Sequence, residues 1–121
     1  MTKTGKSKQY DLEDRTLKFA RRVRAFVRRL SKSIGNTEDG RQLVKASGSV
    51  GANYIEANEA LSKKDFVMRI KICRKESKES RYWLRLVDTN YDEGLENERQ
   101  DLQQEATELM NIFGSILHKT E

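Results

Sequence analysis

From Leu43 to Leu61 apolar or small residues recur at alternating steps of four and three: Leu43, Ser47, Val50, Tyr54, Ala57 and Leu61. The alternation returns in Phe66, Ile70, Cys73, Ser77, Ser80, Leu84 and Val87. Such spacing keeps a stripe on one side of an α-helix that packs along its length. Both segments also carry a second set. Val44, Gly48, Gly51, Ile55 and Asn58 lie about 100° from the first stripe of the earlier helix, and Met68, Ile72, Trp83 and Leu86 lie nearly opposite that of the later one. A helix in a lone bundle needs one buried stripe. Met68, Ile72, Trp83 and Leu86 therefore point to a further partner, most economically another copy of the chain.

The flanking segments complete the pattern. Leu12, Phe19, Ala20, Val23, Phe26, Val27, Leu30 and Ile34 fall in one arc of roughly 120°, with Leu17 outside it. Leu95, Leu102, Ala106, Leu109, Phe113 and Ile116 form another stripe. The spacing predicts helices over about 11–33, 38–60, 63–89 and 95–118, preceded by a basic tail over residues 1–10. With no proline and 36% charged residues, the expectation is an all-α, up-down-up-down antiparallel four-helix bundle in a single domain. Gly35-Asn36 marks the first break, with Asn36 or Thr37 as N-cap. Ser62 to Asp65 reads as a capping box. In Ser47-Gly48-Ser49-Val50-Gly51-Ala52, close approach of another backbone would offset the roughly 0.8–1 kcal/mol that each helical glycine costs.

No apolar run reaches the roughly 18 residues of a membrane span, and one cysteine cannot form an internal disulfide, so a cytoplasmic setting is expected. A lone His118 at a helix end and Cys73 within an apolar stripe do not compose a catalytic or metal site. No enzyme activity, cofactor or metal is expected. Asn53, Glu56, Asn58, Arg69, Glu76 and Glu79 border the apolar arcs. They are expected to pin helix register; a small polar ligand pocket is the alternative.

Charge carries the functional signal. Residues 1–34 hold eleven Lys/Arg against three Asp/Glu, residues 35–90 eleven against eight, and residues 91–121 two against eight. Helix 1 devotes a broad face to Lys18, Arg21, Arg22, Arg24, Arg28, Arg29 and Lys32, five of the seven being arginine. The planar guanidinium suits phosphate. Shape-led, weakly sequence-specific binding of RNA or DNA is one reading of this face. The other is a protein-interaction scaffold in which the basic helix 1 pairs with the acidic helix 4.

Ser47, Val50, Asn53, Ile55 and Glu56, followed by Ser62, Asp65, Phe66 and Glu79, resemble the motifs of the 23S ribosomal RNA intervening-sequence proteins, the S23 family. The resemblance extends over most of residues 10–118. Ala57 stands where that family commonly has glycine, and Lys75-Glu76 where it often has Gly-Ser. The resemblance implies a four-helix bundle assembling as a homopentameric barrel. It also implies kinship with accessory proteins of retroelement reverse transcriptases, whose basic surfaces contact nucleic acid and a polymerase partner.

Overall fold

The computed structural model describes residues 4–120, with side chains from Leu12 onward. Four helices follow one another: α1 (Thr4–Arg29), α2 (Ile34–Asn58), α3 (Lys63–Leu86) and α4 (Glu93–Thr120). Each packs on its neighbour in sequence, and α1 closes the ring against α4. Among the described residues the backbones of α1 and α3, and of α2 and α4, do not approach each other closely, so these pairs lie on the diagonals. Contacts between late residues of one helix and early residues of the next make neighbours antiparallel, as with Asn53 to Arg69 and Leu84 to Arg99. The predicted up-down-up-down bundle is observed.

The stripes converge on one core. Phe19, Val23, Phe26, Leu43, Val50, Ile70, Cys73, Leu84, Leu102, Leu109 and Phe113 are almost fully buried, and the rings of Tyr54 and Phe113 meet with centroids 5.9 Å apart. Small hydroxyls inside it turn back on their own helices. Ser77 donates to the Cys73 carbonyl at 2.9 Å, Ser80 to Glu76 at 2.8 Å and Ser47 to Val44 at 3.2 Å. Their polarity is thus satisfied without a second helix.

The glycines of α2 receive α1, as the small-residue run predicts. A Cβ at Gly51 would lie 2.9 Å from Thr16 Oγ1 and 3.8 Å from the Thr16 backbone carbon, and one at Gly40 would lie 3.1 Å from a Val27 methyl. The second stripe of α2 is therefore largely its seam with α1. Ile55, in the same set, stays 52% exposed.

Helix ends differ from the expectation in instructive ways. Helix α1 begins at Thr4 instead of near residue 11; residues 1–3 of the expected tail lie outside what is described. Ser33, in extended conformation, caps α2 by accepting from the Asn36 N–H at 3.1 Å. Gly35 is therefore helical and needs no left-handed conformation. Ile34 becomes the first residue of α2 and is 87% exposed instead of lying in the α1 stripe. Asn36 is buried and spans to the α3–α4 connection, donating to Ser31 O and Asp88 O and accepting from Asp88 N–H at 2.8 Å. Leu61, placed in the α2 stripe by its spacing, falls beyond the helix end and is fully exposed.

Ser62 caps α3 as predicted, with Asp65 N–H donating to its hydroxyl at 3.0 Å. Helix α3 stops at Leu86, where Val87 turns extended yet stays buried. Asn90 and Tyr91 adopt left-handed φ of 56° and 62°. Asp88 accepts from Asn90 N–H, and Asp92 from Leu95 N–H at the start of α4. Arg99 reaches back to the carbonyls of Leu84 and Val87 and pairs with Glu96. A cation there satisfies carbonyls at the end of α3 and complements its dipole.

Candidate nucleic-acid interface

The basic face predicted on α1 separates into three sets of side chains. Lys18, Arg21, Arg28 and Lys32 are exposed and, among the described residues, have no carboxylate within salt-bridge distance. Arg24 is also exposed, but its guanidinium lies over Gly48, in the space a side chain there would take, and donates to Ala20 O at 3.3 Å. Arg29 is exposed with Nη2 beside Gly94. Arg22 belongs to the seam with α4, paired to Glu98 through two contacts of 3.3 Å. It is half-buried and its charge is compensated.

Arg15, outside the predicted set, explains why α4 is acidic. It forms a bidentate pair with Glu105 at 2.7 and 3.0 Å and reaches Glu108 at 2.6 Å. The Arg15 guanidinium is held more basic than usual, chiefly by its hydrogen bond to Glu105. Glu108 is held below its ordinary value by hydrogen bonds from Gln104 and Arg15. Arg15 and Arg22 are one heptad apart, as are Glu98 and Glu105, and in antiparallel helices the two pairs meet in register. That shared spacing is the sequence signal that would have found them.

The outer row leaves a shallow hollow of about 480 Å³ lined by Asp14, Leu17, Lys18, Arg21, Arg22 and Ala25. The face is convex and cationic, with one carboxylate at its edge. It can attract phosphates along a backbone; it does not enclose a small molecule.

The residues expected at an oligomer interface occupy the outer face of α3. Met68 and Leu86 are 46% and 47% exposed. Ile72 and Trp83 are half-buried; Trp83 rests partly on the core and meets Tyr82 edge-on, with ring centroids 5.1 Å apart.

Of the polar residues, Arg69 donates to Asn53 Oδ1 at 2.9 Å, while Asn53 donates to Ser49 O and Oγ, tying α3 to α2. Asn58 donates to Glu13 and ties α2 to α1. All three take part in hydrogen bonds that tie neighbouring helices. Glu56 and Glu79 are exposed and make no such tie among the described residues. Glu76 is largely shielded, and burial, then Glu79, push its carboxyl above the ordinary range. Cys73 donates to Val50 O, and burial pushes its thiol up to about 12. Among the described residues no buried side-chain nitrogen or oxygen lacks a partner, and no three His, Cys, Asp or Glu side chains are grouped as metal ligands. The polar ligand pocket considered around Asn53, Glu56 and Glu79 is not formed by these contacts. Among the described residues no helix is long and apolar enough to cross a membrane.

Comparison with known proteins decides the family. A model of the 23S rRNA-intervening sequence protein family matches residues 8–115. The chain belongs to the 23S rRNA-intervening sequence protein family. A crystal structure of an S23 ribosomal protein family member of unknown function, from Bacteroides thetaiotaomicron VPI-5482, superposes with a TM-score of 0.74 at 26% identity. The match covers 88% of this chain and 97% of the other. No curated protein matches. The four-helix architecture of this 23S rRNA-intervening sequence protein thus has a solved counterpart.

Proposed function

We propose that the protein is a non-enzymatic, oligomeric helical bundle that binds RNA or DNA through the outer face of α1, with weak sequence preference. The observation that carries this reading is the uncompensated row of Lys18, Arg21, Arg28 and Lys32, supplemented by Arg24 and Arg29. From Lys18 to Arg28 the row runs about 15 Å along the helix, and Lys32 follows in the connection to α2. A homo-oligomer, a pentameric barrel in this proposal, uses Met68, Ile72, Trp83 and Leu86 between copies. It repeats the cationic face, so that phosphate contacts add. A polymerase such as a reverse transcriptase is the class of protein partner that the reading implies.

Binding of a labelled oligonucleotide, measured from 50 to 200 mM salt, tests it. With six or more phosphates engaged, affinity is expected to fall about 10³-fold or more over that range. No binding at 50 mM salt by the intact assembly overturns the proposal. A scaffold without nucleic acid is the second reading, favoured by Arg15 and Arg22, whose charges serve contacts within the bundle. It expects assembly without any salt-sensitive oligonucleotide binding.

A further inference from the structure

A second row of cations runs along α3. Lys64, Lys71, Lys78 and Arg85 are spaced seven apart, and Arg74 and Arg81 fall between them, so the six share an arc of about 100°. The row spans about 32 Å. Five of the six are exposed, and Arg81 is half-buried, donating to Thr107 Oγ1 at 3.2 Å. None has a salt-bridge partner among the described residues. Asp65, Glu76 and Glu79, the carboxylates of α3, fall outside this arc.

The row flanks the seam with α4. Glu98, Glu105 and Glu108 are turned to α1 and held there by Arg22 and Arg15. Glu96, near the end of α3, is taken up by Arg99 and Thr89. On the α3 side the groove wall is neutral instead. There Lys71, Arg74, Lys75 and Lys78 border a groove of about 520 Å³ whose other wall is Met110, Asn111 and Gly114. Gly114 has no side chain to fill it, and Arg74 Cδ lies only 3.8 Å from where a Cβ would stand.

We infer that this α3–α4 groove is a second nucleic-acid site, taking the phosphodiester backbone, and that it is separate from the face of α1. The cores of protein interfaces are depleted in charge and anchored by apolar side chains. A groove bordered by four cations, three of them in the row, with one apolar residue, Met110, suits a polyanion instead. The length is close to one duplex turn, about 34–36 Å. Because α1 and α3 occupy a diagonal of the bundle, one duplex cannot lie along both rows of the same protomer. Two sites per protomer let the protein bridge two segments of nucleic acid.

The test uses the full chain and a fluorescein-labelled 24-base-pair DNA duplex, with anisotropy followed from 50 to 200 mM salt. K71Q/R74Q/K78Q is expected to make the slope of log affinity against log salt shallower by about 2.7. R41Q/K45Q/K119Q removes equal charge elsewhere and is expected to leave the slope within about one unit of wild type. R21Q/R28Q/K32Q reports on α1 alone. An unchanged slope in K71Q/R74Q/K78Q overturns the second site even if R21Q/R28Q/K32Q loses binding, and the α1 proposal then stands. Loss confined to K71Q/R74Q/K78Q supports the groove and removes the α1 proposal instead. A change in assembly mass without a change in slope makes the row a subunit contact and overturns the inference. G114L fills the groove at constant charge: weaker duplex binding with retained helicity supports seating in the groove, and unaltered binding overturns it. Co-capture of two differently labelled duplexes by wild type, lost in K71Q/R74Q/K78Q, is the expected bridging result.

Discussion

Replacing Gly51 and Gly48 separately by alanine should move stability in opposite directions, although both are mid-helix glycines three residues apart in α2. On helix propensity alone each change stabilises by about 0.8–1 kcal/mol. At Gly48 the new methyl meets Arg24 Nη2 at 3.3 Å, the tip of an exposed side chain that can swing aside. Most of the propensity gain should therefore survive. At Gly51 the methyl meets Thr16 Oγ1 at 2.9 Å and Thr16 Cβ at 3.2 Å. Thr16 is 1% exposed, and its hydroxyl already donates to Leu12 O at 2.9 Å and Glu13 O at 3.0 Å, so it has nowhere to turn. Overpacking of this kind costs about 1–3 kcal/mol. Gly51→Ala should be neutral to destabilising by about 2 kcal/mol, against a gain near 0.8 for Gly48→Ala. Urea unfolding followed by helical circular dichroism, at fixed protein concentration, measures both, and each 1 kcal/mol corresponds to roughly 4 °C in Tm. Thr16→Ala should rescue Gly51→Ala with a coupling above about 0.5 kcal/mol. Equal stabilisation by both alanines would refute the claim that α1 and α2 are locked at Thr16.

Asn36→Ala removes both donations and the acceptor for Asp88 N–H in a buried setting. It should cost roughly 2–3 kcal/mol in the same unfolding assay, and a loss below about 0.5 kcal/mol would remove Asn36 as the tie between the two connections. Glu76 has its folded pKa raised above the ordinary 4.5, chiefly by burial, so the folded state binds its proton more tightly than the unfolded state does. That contribution to stability is present at low pH and is lost as pH rises through the folded value. Glu76→Gln should stabilise the fold at pH 7, with the gain fading below about pH 4; a gain independent of pH would contradict the assignment.

The architecture was legible because apolar periodicity and core burial report the same physics. Phe19, Val23, Val50, Ile70, Leu84 and Leu102 were all placed by spacing and are all buried. Spacing failed at Ile34 and Leu61, where the periodic position continues but the helix does not. Only the cap decides there, and two nearby residues could each serve. Ser33 takes that role because Asn36, an equally good cap by composition, is needed 52 positions away at Asp88. A contact of that range has no local signature.

Charge was harder to read because a cation's consequence depends on what faces it. Taken helix by helix, Arg22 is equivalent to Arg21; in the bundle one is bound to Glu98 and the other faces outward. The difference is a rotation of one residue around α1, from the seam with α4 to the outer surface. The same reasoning applies to the cations of α3. Its eight residues from Lys63 to Ile70 and sixteen more to Leu86 hold cations beside Asp65, Glu76 and Glu79, so net charge by segment averages away the row at Lys64, Lys71, Lys78 and Arg85. Polar periodicity has the same helical period as apolar periodicity and marks a surface as directly as the other marks a core. With Glu98, Glu105 and Glu108 held by Arg22 and Arg15, and Glu96 by Arg99, the α3 row meets a neutral groove wall at Met110, Asn111 and Gly114. Pairing α1 with α4 is therefore what leaves α3 free to bind an anion from outside the bundle.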